Sequence, residues 1–298
     1  MVYDSPSVLN TLEDHGIPWT DTTRADHCRR GLRYASDCRD DEWALIAPFF
    51  EPRGFVGRPR EVDMRHVWGA IQYIAQAGCP WRLLPTDFPP VSTVQYHFYR
   101  LRDGGLLDLI NEALVMAARV VDGRNAAPTA GIIDSQSVKT TEAGGVRGYD
   151  AGKKTKGRKR HISVDTQGNM LFGEFHCASV QDRDGAPGVI RQACERFPTL
   201  AHFFADSGYS GDAVEVALLN IDTAPTIEIV RRPSDAVGFV VVARRWVVER
   251  TFAWLGRCRR LAKDWETSLA SSNAWLYIAS IRRSVRHIAR SVKRAPEF

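Results

Sequence analysis

No apolar run in the chain approaches the roughly 18–20 residues that span a bilayer, and its first residues are acidic and polar, not a basic stretch followed by a hydrophobic one. Both absences argue against a membrane or secreted protein and predict a cytosolic one. Cysteine is scarce: the six thiols, at 28, 38, 79, 177, 194 and 258, include no C-x-x-C pair. His27, Cys28 and Cys38 come nearest to a metal-ligand set, but their spacing does not close a tetrahedral site, so reduced, partly buried thiols are expected. Excess charge is also small overall, a formal +5. A composition of 44% hydrophobic and 25% charged residues excludes a disordered or collagen-like chain and leaves material for a sizeable core.

The distribution of charge is more informative than its sum. Residues 139–161 carry +6 and residues 231–298 carry +10, so the rest of the chain carries −11. Positive charge confined to two segments creates a directed potential, whereas mixed charge cancels. That pattern points to a polyanionic partner, nucleic acid first.

Hydrophobic periodicity divides the chain. Residues 1–33 show no sustained pattern and read as a poorly ordered arm. Residues 34–125 read as a helical domain. A short helix capped by Asp40 or Asp41 carries Trp43, Leu45, Ile46, Phe49 and Phe50 and ends in the stretch Glu51-Pro52-Arg53-Gly54. An amphipathic helix follows over 63–77, with Asp63 as cap and Gly78 past its end. A helix opened by Ser92 and another over 106–121 are separated by Gly104-Gly105. After a linker at 122–128 the pattern turns to strands at 129–134, 161–165, 170–177, 200–205 and 226–230, with helices near 184–197, 212–219 and 243–261. Strand, hairpin, helix, strand, helix, strand, helix is an α/β order, expected over 126–298. The last stretch sets Trp275, Ile278, Ile281, Val285 and Ile288 on one helical face, with Arg282, Arg283, Arg286 and Arg290 expected to face outward.

Three acidic residues stand out. Asp134 follows the apolar strand in GIIDSQSVK, Asp206 follows another in LAHFFADSGYSG, and Glu249 lies within the helix RRWVVERTFAWLGRCRRL. Taken singly, the aspartates read as turn or cap residues and Glu249 as a helix residue paired with Arg245 one turn earlier. Taken together, the aspartates converge if their strands are neighbours, because the carboxyl ends of adjacent strands gather active-site groups. Converging carboxylates repel unless a divalent cation neutralises them, and an all-oxygen set suits Mg2+ or Mn2+ better than zinc.

The ordered motifs GIIDSQSVKT, GKKTKGRKRHISVDTQGNML, ADSGYSG and RRWVVERTFAWLGRCRRL, preceded by DDEWALIAPFF, GCPWRLLP and STVQYHFYRLRDGG, resemble bacterial insertion-sequence transposases of the DDE type, in the insertion-sequence-five family. The resemblance runs from about Tyr34 to Ala289. It implies a ribonuclease-H-like mixed sheet with flanking helices, preceded by a helical N-terminal domain. It also implies that Asp134, Asp206 and Glu249 form the catalytic, metal-binding triad. The family's tyrosine, arginine, glutamate, lysine signature is met at Arg245 and Glu249. Val242 stands at the expected tyrosine and Gly256 at the expected lysine, with Arg257 one residue on.

The activity implied is cleavage at terminal inverted repeats and joining of 3′ ends to target DNA, by two ions about 4 Å apart that flank the phosphodiester. A homodimer or larger synaptic assembly on double-stranded DNA is implied too. Two alternatives stay open, an endonuclease without strand transfer and a transposase-derived DNA-binding protein. Lys139, Lys153, Lys154, Lys156, Arg158, Lys159 and Arg160 are the expected phosphate contacts in a loop near the site, with Arg245, Arg257 and Arg260 on flanking DNA. Trp246 and Trp254 are expected in the core. Residues 92–102 read either as a recognition helix offering Gln95, His97 and Arg100 to base edges or as a core helix through Tyr96, Phe98 and Tyr99.

Overall fold

The computed structural model describes residues 24, 27–51, 61–231 and 243–294. Most of the expected arm therefore lies outside the described residues, as do Pro52, Arg53, Gly54 and Val242. Described residues up to Ala35 form one compact unit, a short turn in which the Leu32 N–H donates to Arg29 O at 3.3 Å. From Ser36 onward the described residues form a second. Helices and sheet share this second unit, so residue 125 does not separate two compact bodies.

Among the described residues from Ser36 the helical part comprises α1 (Asp40–Ala44), α2 (Ala47–Phe50), α3 (Met64–Ala77), α4 (Val91–Asp103) and α5 (Leu106–Val121). The single helix expected before residue 51 is two short ones, and Arg39 takes the N-cap position, its N–H bonded to Glu42 Oε2 at 3.0 Å. Helix α3 starts as its sequence dictates, with the Asp63 carboxylate accepting from Arg65 N at 2.8 Å. It stops at Gly78, whose φ of 70° suits a residue without Cβ.

The sheet comprises β1 (Ala130–Lys139), β2 (Gly148–Asp150), β3 (Thr155–Asp165), β4 (Met170–Cys177), β5 (His202–Ala205) and β6 (Thr226–Ile229). Its order is β2-β3-β1-β5-β6, and β4 pairs with β3. β3 is antiparallel to β1, β2 and β4, whereas β1, β5 and β6 run parallel. The described residues also include helices α6 (Asp182–Arg196), α7 (Asp212–Leu219), α8 (Ala243–Leu255) and α9 (Leu269–Arg294). This is a ribonuclease-H-like α/β fold, a mixed sheet flanked by helices and preceded by a helical region.

Two strands are longer than their apolar residues suggest. β1 continues past Asp134 to Lys139, and β3 begins at Thr155, so most of the expected basic loop is a strand. Both extensions are polar yet paired along their length, from Asp134 opposite Ile162 to Lys139 opposite Gly157. Helix α8, in turn, ends at Leu255, short of the expected residue 261, which lies in a separate 3-10 turn, Arg259–Leu261.

Helix α9 is the centre of the unit. Trp275, Ile278, Ile281, Val285 and Ile288 are buried as expected, and Trp275 stacks on Phe98 of α4 with ring centroids 4.6 Å apart. It packs on α5, α4 and β4. A polar clip joins three elements: Ser280 Oγ donates to Asn111 Oδ1 at 2.7 Å, and Asn111 Nδ2 donates to Met170 O at 2.8 Å. The arginines do not face outward. Arg282 is buried and donates to Ser36 O and Gln76 Oε1, while Arg283 lies 4.2 Å over the Trp254 ring and donates to Asn169 Oδ1. The helix is surrounded on several sides, so its polar face became a second interface.

Candidate active site

Parallel pairing of β1 with β5 sets Ile132 opposite Phe204, so two residues further on Asp134 and Asp206 come level on adjacent strands. Asp134 lies inside its strand, not after it as expected, and its Oδ1 accepts from the Ser135 N–H at 2.7 Å. Asp206 caps the 3-10 turn Ser207–Tyr209 through the Gly208 N–H at 2.8 Å. A Cβ on Gly208 would sit 2.9 Å from that same carboxylate oxygen and would displace it.

Burial pushes the Asp134 carboxyl up to about 7. The Ser135 N–H works against that shift, Asp206 adds to it, and Lys153 and Arg245 oppose it. A carboxyl so destabilised as an anion beside a second carboxylate is a site that gains from a divalent cation. The third acid arrives on α8, which packs on β1, β3 and β5. Glu249 is half exposed there, and Arg245 Nη2 lies 3.6 Å from its Oε1 and 3.7 Å from Asp206 Oδ2. Among the described residues no three His, Cys, Asp or Glu side chains already close around one point. The donor set nevertheless fits a hard cation: two level aspartates with all-oxygen ligands, and a glutamate tied to one of them through a single guanidinium.

Alternation along β1 points Ser135 to the opposite face from Asp134, and there lies a network the sequence did not disclose. Ser135 Oγ donates to Asp182 Oδ1 at 2.6 Å, and Lys159 Nζ donates to the same oxygen at 2.6 Å and to Val180 O at 2.8 Å. Lys153 Nζ reaches Ser135 O at 2.9 Å. Burial disfavours the Asp182 anion, but the Lys159 and Ser135 bonds prevail and hold its carboxyl below the ordinary range. Beneath the Asp206 turn, the buried Tyr209 hydroxyl pairs with His161 Nε2 at 2.7 Å, and burial drives that imidazole down to about 3, so it is neutral. Asp182 heads α6 beside Asp184, where an acidic pair reads from sequence only as first-turn charge.

The expected DNA contacts divide sharply. Lys139, Lys153, Lys154 and Lys156 are exposed, as are Arg100 and Arg257, while Gln95 and Arg245 are half-buried. Arg158, Lys159, Arg160 and Arg260 are buried and already engaged. Arg158 bonds Asp264 Oδ2 at 2.8 Å, Thr267 O at 2.7 Å and Val146 O at 2.7 Å. Arg160 donates to Leu261 O at 2.6 Å, and burial pushes its guanidinium down to about 10. Arg260 pairs with Glu266 and Cys79 O. None of these four presents a free face to a phosphate, which corrects the sequence expectation.

On α4, Phe98 and His97 are buried while Tyr96, Tyr99 and Arg100 are exposed, so of the three aromatic residues expected in a core helix only Phe98 is core, and His97 is turned inward. Trp246, expected in the core, is 42% exposed. It stacks under Arg250, which also covers Trp254, at 4.6 and 4.4 Å.

Level aspartates on adjacent strands beside a helix-borne glutamate make a donor set suited to the metal-dependent class of phosphoryl-transfer enzymes. Within it the chain belongs to the DDE transposases: residues 125–282 match the transposase DDE domain family, and residues 38–111 match a family described as transposases of the IS4/5 group. No curated protein matches it. The enzyme is thus a DNA-cleaving transposase of the insertion-sequence type that uses divalent metal.

Proposed function

We propose that Asp134, Asp206 and Glu249 are the catalytic triad that holds two Mg2+ or Mn2+ ions, and that the enzyme cuts at the terminal inverted repeats of its element and joins the 3′ ends to target DNA. The observation that carries this reading is the register of β1 and β5, which levels Asp134 with Asp206. When bound, the ions supply Lewis-acid stabilisation of the attacking and leaving oxygens of the phosphodiester.

The protein's own groups do the rest. The Ser135 and Gly208 N–H groups fix one oxygen of each aspartate, leaving the other for a ligand. Lys139, Lys153, Lys154 and Lys156 line the edge beyond Asp134 and neutralise backbone phosphates. Arg257 and Arg245 serve flanking DNA from the α8 side, and Gln95 and Arg100 contact the end sequence from α4. Two or more copies assemble on paired ends.

Asp134→Asn, Asp206→Asn and Glu249→Gln proteins are each expected to retain end binding in a gel-shift assay and lose Mg2+-dependent cleavage. Cleavage retained by any of them removes that residue from the triad. Incubating pre-cleaved ends with supercoiled plasmid should yield joined products; cutting without joining would make the enzyme an endonuclease.

A further inference from the structure

Arg245 sits where a cation is wanted. Its Nη2 lies 3.7 Å from Asp206 Oδ2 and 3.6 Å from Glu249 Oε1, and it acts electrostatically on Asp134 as well. The other nearby cations have partners of their own, although Lys153 also offsets the Asp134 charge. Lys153 is bonded to Ser135 O and Oγ and leans toward Asp182. Arg244 lies 4.1 Å over the Phe204 ring, and Arg250 is held between Trp246 and Trp254. The Arg245 contacts are longer than the 2.7–2.9 Å typical of a charge-assisted hydrogen bond, and its side chain keeps 29% exposure. It is a loosely held counter-ion with a route to solvent.

We propose that Arg245 is the resident counter-ion of the DNA-free site: its guanidinium stands between Asp206 and Glu249 in place of a divalent ion and swings out to a DNA phosphate as the ion enters. This rests on the triad reading above. A monovalent, weakly hydrated guanidinium offsets carboxylate repulsion but does not activate a bound water as a divalent ion does. The DNA-free enzyme is then held together but not armed. A phosphate offered by bound DNA competes for the guanidinium and frees Glu249 for metal. By linkage, metal and DNA each tighten the other's binding through this one side chain.

Mn2+ binding to the full chain, followed by the electron paramagnetic resonance signal of free Mn2+, tests this without any turnover. In the absence of DNA, Arg245→Gln should bind Mn2+ about tenfold more tightly than the wild type, the size of an ordinary coupling between two sites. Arg245→Lys, which keeps the charge, should stay near the wild type. A duplex end should tighten Mn2+ binding by a similar factor in the wild type and leave Arg245→Gln unmoved. Unchanged or weaker Mn2+ binding by Arg245→Gln, with Asp134→Asn clearly weakened, overturns the counter-ion role and leaves the triad standing. Asp134→Asn binding Mn2+ as the wild type does overturns the triad and this inference with it. Matching circular dichroism melts for the two Arg245 variants separate these outcomes from misfolding.

Discussion

Arg158 and Asp264 meet at 2.8 Å across 106 residues of sequence, both almost without solvent contact. Removing one partner of such a pair strands the other charge in a low-dielectric interior, at a cost of about 3–5 kcal/mol. Arg158→Met is therefore expected to lower stability by that amount in urea unfolding, whereas Lys156→Ala should leave stability within about 0.5 kcal/mol and reduce the salt dependence of DNA binding by roughly one phosphate contact. His161 makes a second residue-scale prediction. An unfolded histidine takes its proton below about 6.5, the buried one only near 3, so its stabilising effect is full above 6.5 and drains as pH falls toward 3. At pH 5 the loss is about 2 kcal/mol. The stability gap between wild type and His161→Asn should narrow by about that much between pH 7 and 5. A cluster of basic residues in sequence announces positive charge but not its partner. Lys153, Lys154 and Lys156 were legible as exposed; Arg158, Lys159 and Arg160 were not, because the anions and carbonyls that claim them lie from Val146 to Thr267.

Helix α8 carries Glu249 but is seated by the β3–β4 turn. Gly168 has a φ of +89°, and a Cβ there would meet Thr251 Oγ1 at 2.6 Å and the Trp254 ring at 3.3 Å. Thr251 Oγ1 bonds Gly168 O at 3.0 Å, and Arg250 donates to Gln167 O at 2.9 Å. Gly168→Ala combines backbone strain with a push on α8, and should cost about 1–3 kcal/mol while depressing cleavage more than end binding. Unimpaired cleavage would mean that Glu249 tolerates a shifted helix. Elements with strong periodicity, such as Met64–Ala77 and Leu106–Val121, were readable within a residue or two. β1 and β3 were not, since their polar halves gain stability from cross-strand partners rather than from burial of apolar side chains. The levelling of Asp134 with Asp206 followed from topology and was legible only once the strands were taken as neighbours. The Asp182 network was not, because it depends on which face of β1 Ser135 occupies.

Across the whole molecule, α9 lies between the helical region and the sheet, through Trp275 on Phe98, Asn111 on Ser280 and Arg282 on Gln76. Separate melting of helices and sheet would leave each with an open apolar face. Calorimetry should show a single transition for the described body, with calorimetric and van't Hoff enthalpies in agreement; two resolved transitions would mean that α9 belongs to one side only. The fold class was legible from element order, while the joint role of α9 was hidden by its arginines, which suggested an outer face. That placement also sets the order of events during synthesis. Ribosomes deliver residues from the N-terminus at roughly 5–20 per second, so α3, α4, α5 and β4 leave the exit tunnel before the helix they all rest on. For many seconds the nascent chain carries a sheet and a set of helices with a common apolar seam and nothing to fill it. Closure waits for residues 275–288, and a pause in translation before them would lengthen the interval in which chaperones or proteases find the seam uncovered.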